Sequence, residues 1–89
     1  MKDVTMFMTP SCPHCRKAAE LMQELCIENP RFKEVCVKQI DERKEAELAD
    51  RYDYYYIPTY YVGDEKMHEG VPSKEAIKKV YEAALDTLP

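Results

Sequence analysis

An 89-residue chain with 45% apolar residues is long enough for one globular domain with a modest core, so a single domain over residues 1–89 is expected. Its formal net charge is −4, with acidic and basic residues intermixed, which argues against nucleic acid or an anionic membrane surface as a partner. No apolar run approaches the ~20 residues of a membrane span, and Met1-Lys2-Asp3 leads directly into a strand pattern rather than a signal sequence. A cytoplasmic address is therefore expected, where a disulfide is more often catalytic than structural.

Asp3 to Met8 (DVTMFM) is short, apolar and β-compatible, and reads as the first strand. It delivers the chain through Thr9-Pro10-Ser11 to Cys12-Pro13-His14-Cys15, at the strand end where open α/β sheets place their function. Pro13 suits the first helical position, because its missing N–H would be an orphan donor there. That makes Cys12 the N-cap, with its sulfur able to accept from the N–H groups of His14 and Cys15 and exposed to the positive end of the helix dipole. Only a thiolate attacks a disulfide, and a free cysteine of pKa about 8.5 is ~3% ionised at pH 7, whereas C-x-x-C motifs span about 3.5 to 7.5.

Cys12 is thus the candidate nucleophile. Cys15, just under one turn on and turned toward the core, is the candidate resolving cysteine, which attacks the mixed disulfide. A cationic His14 would further favour the thiolate and raise the reduction potential; the alternative is that it points to solvent. The working group is then a redox-active Cys12–Cys15 disulfide with no tightly bound cofactor. Zinc is the competing use of C-x-x-C. Structural zinc usually takes a second close pair, whereas Cys26 and Cys36 lie ten residues apart, so no metal is expected.

The first helix should run from Pro13 to about Glu28, with Cys15, Ala18, Ala19, Met22, Leu25 and Cys26 as its apolar stripe and Asn29-Pro30 as its stop. Cys26 reads as a core residue. Glu34 to Ile40 (EVCVKQI) is the second strand, and Cys36 within it reads as packing, with a surface thiol or regulatory disulfide as the alternative. Asp41 should cap a second helix from Glu42 to Arg51, thinly apolar and largely solvated. After a loop, Thr59 to Val62 is a strand, Gly63-Asp64 a turn, Lys66 to Glu69 a fourth strand, and Gly70 its break. Ser73 should cap a last helix from Lys74 to about Leu85, whose stripe is Ala76, Ile77, Val80, Tyr81, Ala84 and Leu85. The order β-α-β-α-β-β-α, with right-handed crossovers and a hairpin, gives an α/β fold: a four-stranded mixed sheet with helices on both faces.

Over essentially its whole length the chain resembles the thioredoxin fold in its short, glutaredoxin-like form. Three features carry the resemblance: Cys12-Pro13-His14-Cys15 opening a helix after the first strand, Ile57-Pro58-Thr59 opening the third strand, and a hairpin ending at Gly70 before a final helix. The resemblance implies a thiol–disulfide oxidoreductase in which Pro58 is cis and lies against the active-site cysteines. It implies that Tyr56, Ile57, Pro58 and Thr59 bind substrate, the Ile57 backbone pairing with an extended peptide. Protein disulfides are the implied substrates, recharged by a thioredoxin-reductase-type or glutathione-linked reductant.

The match is mixed within the family. Thr9 to Leu21 looks like a glutaredoxin, Pro13-His14 matches strongly oxidising disulfide-forming proteins, and Tyr52 to Val71 is thioredoxin-like. Thr9, His14, Tyr56-Ile57 and Ser73-Lys74 stand where a glutaredoxin has its glutathione contacts, so glutathione is the less favoured of the two reductants. Met6 stands where full thioredoxins have a buried aspartate.

Tyr52, Tyr54 and alternate residues of the third strand should pack on the core, while Tyr55 and Tyr56 should be exposed beside the site, suiting a protein or peptide partner. Nothing requires more than a monomer. A non-catalytic redox-sensing or peptide-binding module and a glutathione-dependent glutaredoxin remain as alternative readings.

Overall fold

The computed structural model describes residues 2–85, so Met1 and residues 86–89 of the expected 1–89 domain lie outside it. Strand β1 (Val4–Met8) feeds helix α1 (Pro13–Glu28), and a 3-10 turn (Pro30–Glu34) leads into β2 (Val37–Asp41). Then come a one-turn helix α2 (Ala46–Ala49), the hairpin β3 (Thr59–Val62) and β4 (Glu65–Glu69), and helix α3 (Lys74–Leu85). The sheet order is β2-β1-β3-β4, with β1 parallel to β2 and antiparallel to β3, and β3 antiparallel to β4. This is the four-stranded mixed sheet that the element order implies.

Alternation along the strands divides the core in two. Val4, Met6, Tyr60 and Val62 face α1 and α3, where they meet Ala18, Leu21, Met22, Leu25, Ile77, Val80 and Ala84. Phe7, Ile40 and Tyr61 face the other way, onto Ala49 with Leu48, Tyr52, Tyr54 and Ile57 around it. All four residues of β3 are buried, as a central strand covered on both sides requires.

Helix α1 has the expected bounds, and Asn29 N–H closes it on Leu25 C=O at 2.8 Å. Its buried face is Cys15, Ala18, Leu21, Met22 and Leu25; Ala19 is exposed and Leu21 takes its place. Cys26 is half-buried against the core, its thiol 3.7 Å from the Tyr81 hydroxyl. Helix α3 also has the expected bounds, and Ser73 Oγ accepts the Ala76 N–H at 3.1 Å as the cap.

Three expectations need correction. The second strand begins at Val37 rather than Glu34, because Pro30 starts a 3-10 turn that Asn29 Oδ1 caps by accepting the Arg31 N–H at 3.2 Å. That turn drops Phe32 into the core, stacked on Tyr81 with ring centroids 4.9 Å apart. Cys36 is consequently exposed, not packed: its C=O joins the ladder from Val4 N–H, but it precedes β2 and its thiol faces outward.

The second helix does not run from Glu42 to Arg51. Asp41 is still in β2, paired with Met8, and Glu42 N–H donates to Met8 C=O at 3.0 Å. Asp41 Oδ1 then accepts the Arg43 N–H at 3.0 Å and closes a turn, so helical residues begin only at Ala46. Tyrosines supply the cover that a longer helix would have given. Phe7 lies 4.7 Å from Tyr52 and 4.9 Å from Tyr54, ring centroid to centroid, with Tyr61 edge-on at 6.1 Å. Truncating Phe7, which is fully buried, removes the hub of this cluster. Phe7→Ala should lower the unfolding free energy by about 3–5 kcal/mol in urea denaturation.

Candidate active site

The site is built where β1 ends. Thr9 is buried and its C=O accepts the Cys12 N–H at 3.1 Å, which folds Pro10 and Ser11 into a tight exposed turn. Cys12 is the N-cap of α1, with extended backbone (φ −82°, ψ 121°), and its C=O takes the first helical bond from Arg16 N–H at 3.1 Å. Pro13 occupies the first helical position and is exposed. As thiols, Cys12 and Cys15 are close but unlike: Cys12 is partly exposed and Cys15 is buried.

Their acidities diverge accordingly. Burial raises the Cys12 pKa, but the Cys15 N–H, the Cys15 thiol and the His14 N–H outweigh it and leave Cys12 below an ordinary thiol. In the thiol form the sulfur makes no cap hydrogen bond, so these donors are set for the anion rather than spent on the neutral group. Burial pushes Cys15 up to about 12; the Thr9 N–H opposes that shift, while the Cys12 thiol and the Glu42 carboxylate add to it. One thiol is thus prepared to ionise and its neighbour to stay protonated.

What His14 lends Cys12 is its backbone N–H. Its imidazole is exposed and lines a shallow apolar cavity of about 330 Å³ together with Tyr56, Ile57, Gly70 and Val71. The helix start and the loop before β3 therefore share one groove. The Ile57–Pro58 peptide is cis. Tyr56 is 70% exposed and Val71 68%, with Tyr55 beside them at 83%, so the groove has an unusually apolar rim. Tyr60 and Tyr61 are both buried, on opposite faces.

Thr59 departs from its expected role. It is fully buried, and its hydroxyl donates to the Tyr56 C=O, so it holds the loop instead of meeting a substrate. Pro58 is buried as well. Tyr56 and Ile57 are the residues of this segment that the groove presents.

Two residues of the site were not singled out by sequence. Glu42, which follows β2, raises both thiols electrostatically, and its Oε1 accepts the Tyr54 hydroxyl at 2.7 Å. Its place at the end of a parallel strand beside β1 was the available signal. Glu69, on β4, binds the backbone before Ile57, and only tertiary structure shows it. Among the described residues no group of His, Cys, Asp or Glu is arranged to hold a metal ion.

Comparison with known proteins agrees with this geometry. The sequence family described as a thioredoxin domain matches residues 2–82. A curated thioredoxin of Methanocaldococcus jannaschii is 30% identical over 74 residues, covering 83% of this chain and 85% of that protein. Among solved structures, a mutant thioredoxin from Halobacterium salinarum superposes with a TM-score of 0.67 at 21% identity, covering 97% of this chain and 76% of that one. A protein disulfide oxidoreductase from Aeropyrum pernix gives a TM-score of 0.66 at 23% identity, covering 98% of this chain and 39% of that one. At these identities the two structural likenesses speak to the fold.

The divergent acidities predict that alkylation near neutral pH labels Cys12 and spares Cys15, with a Cys12 pH midpoint below that of the same thiol in the urea-unfolded chain. Glu42→Gln removes a negative charge that disfavours both thiolates, so it should move the Cys12 midpoint further down. Mass spectrometry of iodoacetamide-labelled peptides across pH reads both; an upward shift in the Glu42→Gln variant would contradict the assigned electrostatics.

Proposed function

This chain belongs to the thioredoxin family and is a thiol–disulfide oxidoreductase, and we propose that it works as a dithiol reductant of protein disulfides. The observation that carries this reading is the split between an activated, partly exposed Cys12 and a buried, protonated Cys15 on one helical turn.

The Cys12 thiolate attacks one sulfur of a substrate disulfide. A Cys12–substrate disulfide forms and the other substrate sulfur leaves as a thiolate, which takes a proton from solvent. Cys15 then loses its proton and attacks the Cys12 sulfur; the second substrate sulfur leaves, and the Cys12–Cys15 disulfide forms. Two electrons have passed to the substrate, and an external dithiol reductant returns them. Burial delays Cys15, which keeps the free enzyme from exposing two nucleophiles and lets substrate dock before resolution.

The apolar rim of His14, Tyr56, Ile57 and Val71 supports a polypeptide substrate. Ile57 adds a backbone N–H and C=O with no hydrogen-bond partner among the described residues, as strand-like pairing with an extended peptide needs. For the electron donor we favour a reductase of the thioredoxin-reductase type. The residues at Thr9, His14 and Ser73-Lys74 do not reproduce the charges and hydrogen-bonding groups that a glutathione site of the glutaredoxin kind would use. No tightly bound cofactor enters the scheme, and one chain suffices for it. A cytoplasmic setting, where a C-x-x-C pair is more often catalytic than structural, is part of the proposal. Among the described residues no helix is long and apolar enough to cross a membrane.

The test is the source of electrons. Oxidised protein is offered NADPH with thioredoxin reductase, or NADPH with glutathione and glutathione reductase, and NADPH consumption is followed during insulin reduction. Turnover with the first system alone is expected. Turnover with glutathione alone would replace the proposed donor. No turnover with either, together with a Cys12 that alkylates like an unfolded thiol, would make the chain a binding module instead.

A further inference from the structure

The backbone on either side of Ile57 is tied down while Ile57 itself is left free. Glu69 turns its carboxylate from β4 toward the chain that precedes Ile57. One oxygen, Oε2, accepts the backbone N–H of Tyr55 and that of Tyr56, the latter at 3.0 Å. The other, Oε1, accepts from Lys66 Nζ at 2.9 Å, and the same ammonium donates to the Asp53 C=O at 3.2 Å. On the far side, the Thr59 hydroxyl donates to the Tyr56 C=O and the Gly70 N–H donates to the Pro58 C=O at 3.0 Å. Gly70 adopts φ 95°, a backbone that favours glycine, as β4 ends against this loop.

Two amide donors converging on one carboxylate oxygen is a costly arrangement for a mere surface decoration, because three ordered donors must be held around one side chain. It matters here because of what it orders. Tyr55 and Tyr56 are the most exposed aromatic residues of the described chain, and a loop carrying two such rings would otherwise be free to fold them onto each other or onto the groove. With Lys66 and the two N–H groups around it, Glu69 is held to about 2 and is anionic throughout the working range of pH.

We propose that Glu69 is a positioning residue for substrate: it sets the course of the Tyr55–Ile57 backbone so that the Tyr56 ring and the free Ile57 peptide groups meet an extended polypeptide bearing the target disulfide. The inference rests on reading this segment as the docking edge of the site. Glu69 is not among the groups acting on either thiol, so it governs affinity for polypeptide and leaves thiol chemistry alone.

The experiment compares the full chain with Glu69→Ala and Glu69→Gln. Three readings are taken: kcat and KM for insulin with the coupled reductase, the rate with a small aromatic disulfide, and amide hydrogen exchange at Tyr55, Tyr56 and Tyr60. Glu69→Ala should raise the insulin KM about tenfold, while kcat and the small-disulfide rate stay within about twofold. Glu69→Gln keeps an oxygen for both N–H groups and loses only the ion pair, so its KM should stay within about threefold of the parent. Exchange should speed up at Tyr55 and Tyr56 in Glu69→Ala and stay unchanged at Tyr60 in β3.

An unchanged insulin KM in Glu69→Ala overturns the proposal, as does an equal loss on the small disulfide or a change in exchange at Tyr60 as large as that at Tyr55. Should Glu69→Ala fail to fold, Glu69→Asp, which draws the carboxylate back by one methylene, must show the same split. A parent chain that reduces the small disulfide but not insulin sinks the docking reading and the affinity role with it. The exchange rates separate that failure from one in which Glu69 does not order the loop.

Discussion

A thiolate at Cys12 lasts only while the first turn of α1 stays aimed at its sulfur, and that aim is set by where β1 ends. Register fixes the end from both sides: Met8 pairs with Asp41, and Phe7 with Thr59. Glu42 N–H closes on Met8 C=O, and the next residue, Thr9, lends its C=O to Cys12 N–H. The helix start is therefore fastened to the central strand with no slack between them. The balance at Cys12 needs this, because burial works against ionisation and it is the donors of the first turn, the Cys15 and His14 N–H groups and the Cys15 thiol, that reverse it. A start displaced by one residue would keep the burial and lose the donors.

The sheet that fixes this register is clamped by two unlike covers. Helices α1 and α3 supply one in the ordinary way, with apolar stripes at helical spacing. Aromatic rings supply most of the other, because the chain after β2 yields only one helical turn. Tyrosines bring hydroxyls that need partners when buried, and three of them find ones that tie the sheet's covers to something else. Tyr61 donates to the Asp53 C=O at 2.7 Å, Tyr54 to Glu42, and Tyr60, on the helical side, to the Met22 sulfur at 3.2 Å. No buried side-chain nitrogen or oxygen among the described residues lacks a partner. The Tyr54–Glu42 bond has a chemical consequence, since it anchors the carboxylate that raises both thiols.

Periodicity and capping made the helices legible. α1 and α3 run between the bounds their sequence implies because Pro13, Asn29-Pro30 and Ser73 act locally. The C-x-x-C site was legible for the same reason: N-cap, proline and resolving cysteine lie within one turn. The failures all involve a longer-range competitor. Asp41 looked like a cap, but its backbone was claimed by β1, so its side chain closed a turn instead. Glu34, Val35 and Cys36 looked like the start of the second strand, but the 3-10 turn that buries Phe32 on Tyr81 runs through Glu34 and is capped at Val35, so the strand begins only at Val37. Thr59 looked like part of the docking surface because the family motif includes it, yet β3 is central and its side chains are buried on both faces. The Glu69 carboxylate gave no pattern at all, and Glu42 gave only its place after a strand, since each acts on residues distant in sequence.

Those two carboxylates divide the electrostatic work at one end of the sheet. Glu42 stands near the thiols and makes both harder to ionise, which opposes the helix terminus at Cys12 and reinforces burial at Cys15. At Cys15 it adds to burial, which has pushed that thiol up to about 12, whereas at Cys12 it is outweighed by the Cys15 and His14 donors. Glu69 is spent on backbone donors and on Lys66, and it is not among the groups acting on either thiol. A negative charge needed for loop geometry is paired locally with Lys66, and the one left to act on the thiols is outweighed at Cys12 and not at Cys15. The chain is acidic overall, with a net charge of −4, and a site that depends on forming an anion can tolerate that charge only if most nearby carboxylates are engaged in this way.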